Sequence, residues 1–210
     1  RAQSIGESAS ATSGGGSRPD RAPTGPARYR SGDQSTGGHH VTTAMTTSGS
    51  VRGTEDGGIH RFAGIPYAAP PVGERRWRPP TPVESWEGER DATAFGPTAP
   101  QNADMLSMLL GLDPEPRSED CLYLNVWTPA TDDARRPVMV WIHGGAFTMG
   151  SGRDYDGSHF ARRGVVLVTI NYRLGALGFL RLADVTAGAI PATGIEGSLD
   201  QVLALEWVRD

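Results

Sequence analysis

Lysine is absent: all 20 basic residues of the 210-residue chain are arginine. Without a side-chain amine, Schiff-base chemistry and a lysine-bearing phosphate loop are both excluded. Cysteine occurs once, at Cys121, so neither an intrachain disulfide nor a multi-thiolate metal centre can form. The formal net charge is −4, and nucleic-acid phosphates are held by a basic field. No apolar run approaches the ~18 residues of a membrane span. Neither nucleic acid nor a membrane is therefore expected as a partner, and the sequence points to no metal and no cofactor.

Large apolar residues are also scarce from Arg1 to about Ser50, a stretch rich in Ser, Gly, Thr, Ala, Pro and Arg. Such a segment buries too little surface to offset chain entropy, so residues 1–50 read as a disordered tail. It has no apolar core of the kind a secretory signal needs. The first methionine is Met45. One reading takes it as the true start, with Arg1–Ala44 as upstream sequence read through; the other takes the whole stretch as a disordered extension.

From Val51 onward the pattern changes. Ile59–Tyr67 reads as a strand closed by a Pro turn, and Ala68–Trp86, rich in Pro and Arg, as an irregular surface segment. Asp104–Leu112 reads as a short amphipathic helix. Leu122–Thr128 alternates, as a strand covered on at least one face does. Pro137–Ile142 and Val165–Ile170 are nearly continuous apolar runs, the pattern of strands buried on both faces. A short crossover helix within Tyr155–Arg163 would make these two strands parallel. Ser198 with Gln201 reads as a capping box opening a last helix, whose apolar stripe is Leu199, Val202, Leu203 and Trp207. The chain reaches Asp210 without a Gly or Pro terminator, so its end reads as a truncation.

The chemistry concentrates after Ile142, at His143-Gly144-Gly145-Ala146-Phe147. Glycines at the carboxyl end of a strand let the backbone turn sharply, so that successive N–H groups can converge on one point. An oxyanion hole needs donors fixed where charge develops on a carbonyl oxygen. A plain glycine turn leaving a strand is the alternative.

Other segments carry a family resemblance. Glu119-Asp120-Cys121-Leu122-Tyr123-Leu124-Asn125-Val126-Trp127-Thr128-Pro129 resembles a signature of the type-B carboxylesterase family, which includes the cholinesterases and the bacterial para-nitrobenzyl esterases. Phe62–Ala68, Pro70–Trp77, Asn171–Gly175, Gly178–Leu180 and Gly197–Gln201 resemble further stretches of that family, in order, so that the likeness spans Val51–Asp210.

The resemblance implies the N-terminal part of an α/β-hydrolase fold, with a mostly parallel central sheet and flanking helices. It implies hydrolysis of a small-molecule carboxylic ester through an acyl-enzyme, using Ser, His and an acid. Gly144, Gly145 and Ala146 would form the oxyanion loop, with Gly145 and Ala146 donating and His143 shaping the loop. The nucleophile, acid and His would lie beyond Asp210, so the fragment alone would be inactive. In the family's strand order the strand ending at Ile142 would also be left with an open edge. Glu119 and Arg76 would form an ion pair. Ala99 stands where the family often has the partner of Cys121, so Cys121 would be a buried free thiol, as suits the reducing cytoplasm. No aromatic residue occurs in Gln101–Ser118, which disfavours choline esters, and Met105, Leu106, Met108, Leu109 and Leu110 favour an apolar group.

Several features are decoys. Gly6-Glu7-Ser8-Ala9-Ser10 resembles a nucleophile turn, but no apolar strand precedes it. His39 and His40 adjoin in the tail; His60 and His159 read as surface residues. Two further functional readings are a non-catalytic, esterase-like binding module and an inactive truncated product.

Overall fold

A strand-rich sequence with two apolar runs should place those runs at the centre of a sheet, and the computed structural model places one of them there. It describes residues 40–102 and 116–210, all within the unit Gly37–Asp210. Seven strands form one sheet: β1 (His40–Thr46), β2 (Gly49–Asp56), β3 (Ile59–Pro66), β4 (Glu89–Asp91), β5 (Tyr123–Thr128), β6 (Val138–Ile142) and β7 (Val166–Ile170). Their order is β1-β2-β3-β5-β7-β6, with β4 beside β2. The expected parallel pairing is realised between β6 and β7, and short β4 also runs parallel to β2. The other pairings are antiparallel. Among the described residues three α-helices lie outside the sheet, α1 (Ser158–Ala161) between β6 and β7, and α2 (Gly175–Phe179) and α3 (Glu196–Arg209) after β7.

Local chemistry explains the hairpins. Gly57 and Gly58, both at positive φ (+56° and +78°), make the two-residue turn between β2 and β3. Between β1 and β2, Thr46 Oγ1 accepts from the Ser48 and Gly49 N–H groups. The core lies against β3, β5 and β7, where Phe62, Ile65, Leu124, Val168 and Ile170 are buried with Leu122, Tyr172 and Leu174. A second cluster of Ile59, Trp127 and Ala161 packs elsewhere, with Phe95 against it.

The structure corrects several expectations. The ordered sheet begins at His40, not after Ser50, and Met45 sits inside β1 opposite Ser50. That strand has three Thr and only Val41 and Met45 as large apolar residues, so it lacks the apolar mark that reading from composition needs. Strand β6 is not buried on both faces: Val138 is 51% exposed and Ile142 40%. Among the described residues β6 pairs only with β7, which leaves the open edge that the family strand order implied. The short crossover helix expected within Tyr155–Arg163 does form, at Ser158–Ala161. Helix α3 starts at Glu196, with no side-chain cap at its first boundary, so the Ser198–Gln201 capping box does not form. Instead the Glu196 carboxylate accepts the N–H groups of Thr193 and Gly194 and the Thr193 hydroxyl. Ser198 is already an interior helical residue, its N–H donating to the Ile195 carbonyl at 2.9 Å. Of the expected stripe, Leu203 and Trp207 pack on the core while Val202 is exposed. The expected helix Asp104–Leu112 lies outside the described residues.

Two ion pairs tie the segments together. Arg76 Nε donates to Glu119 Oε2 at 2.6 Å, as the resemblance implied, and the Arg76 guanidinium lies over the Trp77 ring. Arg173 and Asp200 are 2% and 0% exposed. Arg173 donates to Asp200 from its main-chain N–H, Nε and Nη2 at 3.0, 2.8 and 2.7 Å, and to the Arg78 carbonyl from Nη1 at 2.8 Å. Removing one member of a buried pair leaves the other charge desolvated and unmatched. We therefore expect Asp200→Asn to destabilise the protein by about 3–5 kcal/mol in urea unfolding. A loss at the scale of an exposed pair, under ~1 kcal/mol, would contradict this.

Candidate active site

Strand β6 delivers the chain to His143, and β7 delivers it to Asn171 and Tyr172. These two strand ends hold the glycine loop between them. His143 is buried, its ring stacked on Tyr172 with centroids 4.5 Å apart at 19°. The Tyr172 hydroxyl donates to the His143 carbonyl at 3.0 Å. The His143 Nδ1–H donates to the Gly144 carbonyl at 2.9 Å, since a carbonyl can only accept. Both contacts fit the expectation that His143 shapes the loop.

The loop then turns on itself. The Gly145 carbonyl accepts from the N–H groups of Thr148 (3.0 Å) and Met149 (3.2 Å) and from the Thr148 hydroxyl (3.1 Å). Gly145 has φ +115°, and a Cβ there would lie 2.0 Å from the Met149 carbonyl oxygen. Gly150, at φ +106°, is equally constrained: its Cβ would lie 2.6 Å from both the Gly144 oxygen and His143 Nδ1. Gly144 is different. A Cβ there meets nothing within 4 Å among the described residues, so space does not demand a glycine at that position.

Ala146 and Phe147 occupy the left-handed region, at φ +52° and +62°. Two successive non-glycine residues in that region cost on the order of 1–3 kcal/mol each and persist only when the surroundings over-determine them. Those surroundings are present. Gly175 N–H donates to the Phe147 carbonyl at 2.7 Å, and the Phe147 ring rests on Phe179 of α2, 4.8 Å away. Gln101 pairs its side-chain amide with both the N–H and the carbonyl of Gly150. Asn171 accepts the Gly152 N–H at 2.8 Å and donates to the Pro97 carbonyl at 3.2 Å. The Gly145 and Ala146 N–H groups meet no acceptor among the described residues. They are open donors on a loop held through the Gly144, Gly145 and Phe147 carbonyls and both peptide groups of Gly150.

The anchors Gln101, Asn171, Tyr172 and Gly150 do not stand out in the sequence. Gln101 lies 49 residues from its partner, and no local pattern announces such a contact. The decoys stay apart from the loop: His60 Nδ1 bonds Thr42 Oγ1 across β3 and β1, and His159 sits exposed on α1. Ser8 and His39 lie outside the described residues. Cys121 is buried and free, and burial pushes its thiol far above the ordinary range, so it is no nucleophile. Among the described residues no group of three or more His, Cys, Asp or Glu could hold a metal ion. No helix among them is long and apolar enough to cross a membrane.

Burial lowers the pKa of His143, while its hydrogen bond to Gly144 opposes the shift. The native ring therefore stays neutral at pH values where an unfolded imidazole, of pKa about 6.5, takes up a proton. The unfolded chain binds more protons in that window, so stability is full above about pH 6.5 and falls as the pH drops below it. We expect His143→Asn to flatten the dependence of urea stability on pH between about 6.5 and 5, by up to one proton. An unchanged slope would show that the ring is not held neutral.

The match to known proteins agrees with this geometry. The model of the carboxylesterase family matches residues 39–210. The chain is 49% identical over 175 residues to the para-nitrobenzyl esterase of Bacillus subtilis, covering 82% of this chain and 35% of that protein. It is 47% identical over 178 residues to the cocaine esterase of Oryctolagus cuniculus, covering 78% and 32%. A solved PNB esterase structure superposes with a TM-score of 0.72 at 48% identity, covering 80% of this chain and 34% of that one. A Geobacillus stearothermophilus carboxylesterase superposes at 0.71, with the same identity and coverage. The chain spans about a third of the length of the curated relatives it matches. With the sheet in place, the fold is that of the α/β-hydrolases, and the chain belongs to the carboxylesterase family.

Proposed function

We propose that the protein carrying this chain hydrolyses carboxylic esters and that Gly144, Gly145 and Ala146 form its oxyanion loop. The supporting observation is the pair of open N–H groups, Gly145 and Ala146, on a loop anchored at the His143, Phe147 and Gly150 peptide groups and strained at Ala146 and Phe147. When a nucleophile attacks an ester carbonyl, negative charge moves onto the carbonyl oxygen. Donors already fixed at that point need not reorganise as the charge forms, and each contributes about 3 kcal/mol in the transition state. The strain at Ala146 and Phe147 fits this role, since it holds the amides where charge will appear rather than where a turn would relax.

The attacking serine, its histidine and its acid belong to the remainder of the mechanism, which the family resemblance supplies. The relatives include proteins named for para-nitrobenzyl esters and cocaine, so the proposal is kept to small-molecule esters as a class. A cytoplasmic site is part of the same reading, resting on Cys121 being unpaired with Ala99 in the partner's place. Purified whole protein should hydrolyse aryl acetates and butyrates, followed by release of the phenol; a folded protein without such turnover would defeat the reading.

The loop assignment has its own test. At Gly145 even one methyl group lands on the Met149 carbonyl, so Gly145→Ala must shift the donors. We expect kcat to fall by about 100-fold or more, with the melting temperature measured alongside to separate loop damage from unfolding. A variant with normal kcat would remove this loop from the site.

A further inference from the structure

Gly150 is the point at which the glycine loop rejoins the fold, and its peptide groups have one partner between them. The N–H donates to Gln101 Oε1 at 2.8 Å, and the carbonyl accepts from Gln101 Nε2 at 3.0 Å. A primary amide thus closes a two-bond ring on the Gly150 backbone, as a neighbouring strand would. Gln101 is itself held: Nε2 also donates to the Ala99 carbonyl at 3.2 Å, and Arg117 Nη1 donates to the Gln101 carbonyl at 2.7 Å.

The placement of Gly150 bears directly on the donors. Its Cα sits against the Gly144 carbonyl and the His143 ring, and the preceding Met149 carbonyl fills the space beside the Gly145 Cα. Displacement of Gly150 therefore moves both boundaries of the peptide that carries the Gly145 N–H. Left-handed Ala146 and Phe147, one turn away, would gain by relaxing if that boundary gave way.

We propose that Gln101 is a positioning residue for the oxyanion loop, fixing the Gly145 and Ala146 N–H groups through the paired hydrogen bonds to Gly150. The inference rests on the ester-hydrolase reading above. Gln101 reaches no reacting atom; it acts through Gly150. Because oxyanion donors matter most in the transition state, loosening them lowers kcat and leaves KM nearly unchanged.

Two substitutions separate this role from general support of the fold. Gln101→Met keeps the length and removes both hydrogen bonds. Gln101→Glu is a switchable lock. Protonated, a carboxyl group offers one donor and one acceptor, as the amide does; ionised, it turns a second acceptor toward the Gly150 carbonyl. The charged and titratable groups facing this position among the described residues are Arg117, on the Gln101 carbonyl, and His143, across Gly150, with Asp154 acting on His143.

The experiment uses the whole protein and para-nitrophenyl acetate, with kcat and KM measured between about pH 5 and 8. Gln101→Met should lose about 10- to 100-fold in kcat, with KM within about threefold of the parent. For Gln101→Glu, the kcat ratio to the parent at the same pH should rise by at least about fivefold from pH 8 to pH 5, as the carboxyl group protonates. Parental kcat in Gln101→Met, or a Gln101→Glu ratio that does not change with pH, would overturn the proposal. A parent without hydrolysis would defeat the ester-hydrolase reading, and amide hydrogen exchange would then decide this one. The Gly150 N–H should exchange at least about tenfold faster in Gln101→Met while the amides of β5 and β7 keep their rates. Equal exchange at Gly150 would overturn the proposal.

Discussion

Arg173 and Asp200 leave water together, and much of the fold's carboxyl-end geometry is arranged around that fact. A guanidinium and a carboxylate at 2% and 0% exposure are tolerable only if nearly every donor and lone pair is used. Three donors from Arg173 meet Asp200, and another meets the Arg78 carbonyl, so the end of β7, helix α3 and the Arg78 segment are joined at one point. The backbone then closes on the pair. A Cβ at Gly178 would lie 2.3 Å from the Arg173 carbonyl oxygen, and one at Gly197 would lie 2.6 Å from it. Helices α2 and α3 can approach Arg173 only because both positions lack a side chain.

That closure reaches the glycine loop through α2. Gly175 at its start donates to the Phe147 carbonyl, and Phe179 at its end supports the Phe147 ring. A loop strained at Ala146 and Phe147 needs compensation, and each intramolecular hydrogen bond contributes only about 0.5–1.5 kcal/mol net. The bonds from Tyr172, Gln101, Asn171 and Gly175 are together of the size the strain requires. The donors are thus held by several modest contacts from different parts of the chain.

The central strands were legible because their burial is written in their own residues. Alternation in Leu122–Thr128 and the apolar run before Ile170 need no knowledge of what packs on them, and β5 and β7 appear where those patterns lie. Strand β6 carries an equally apolar run, yet composition cannot say how many neighbours a strand has. Strand β1 escaped notice for the opposite reason, since His40–Thr46 has only Val41 and Met45 as large apolar residues and both are exposed. At α3 the local rule chose Ser198, but that residue is already inside the helix, its N–H donating to the Ile195 carbonyl. In the loop, the glycines were visible and their anchors were not. Gly145 and Gly150 prove to be sterically obligatory and Gly144 does not, a distinction that depends on where the Met149 and Gly144 carbonyls and the His143 ring lie.

The anchors are amides and a phenol rather than apolar groups for a physical reason. A loop that turns beyond the end of a strand has left the sheet's ladder of partners, and buried peptide groups without partners are costly. Asn and Gln carry a donor and an acceptor on one planar group, so each can stand in for a missing peptide. Asn171 does this for Gly152 and Pro97, and Gln101 for both groups of Gly150. Apolar side chains of the same size would leave those groups unpaired and the loop free to relax from its left-handed residues. The polar network therefore does what packing alone cannot: it fixes backbone orientation, and orientation of two N–H groups is the property on which stabilisation of an oxyanion depends.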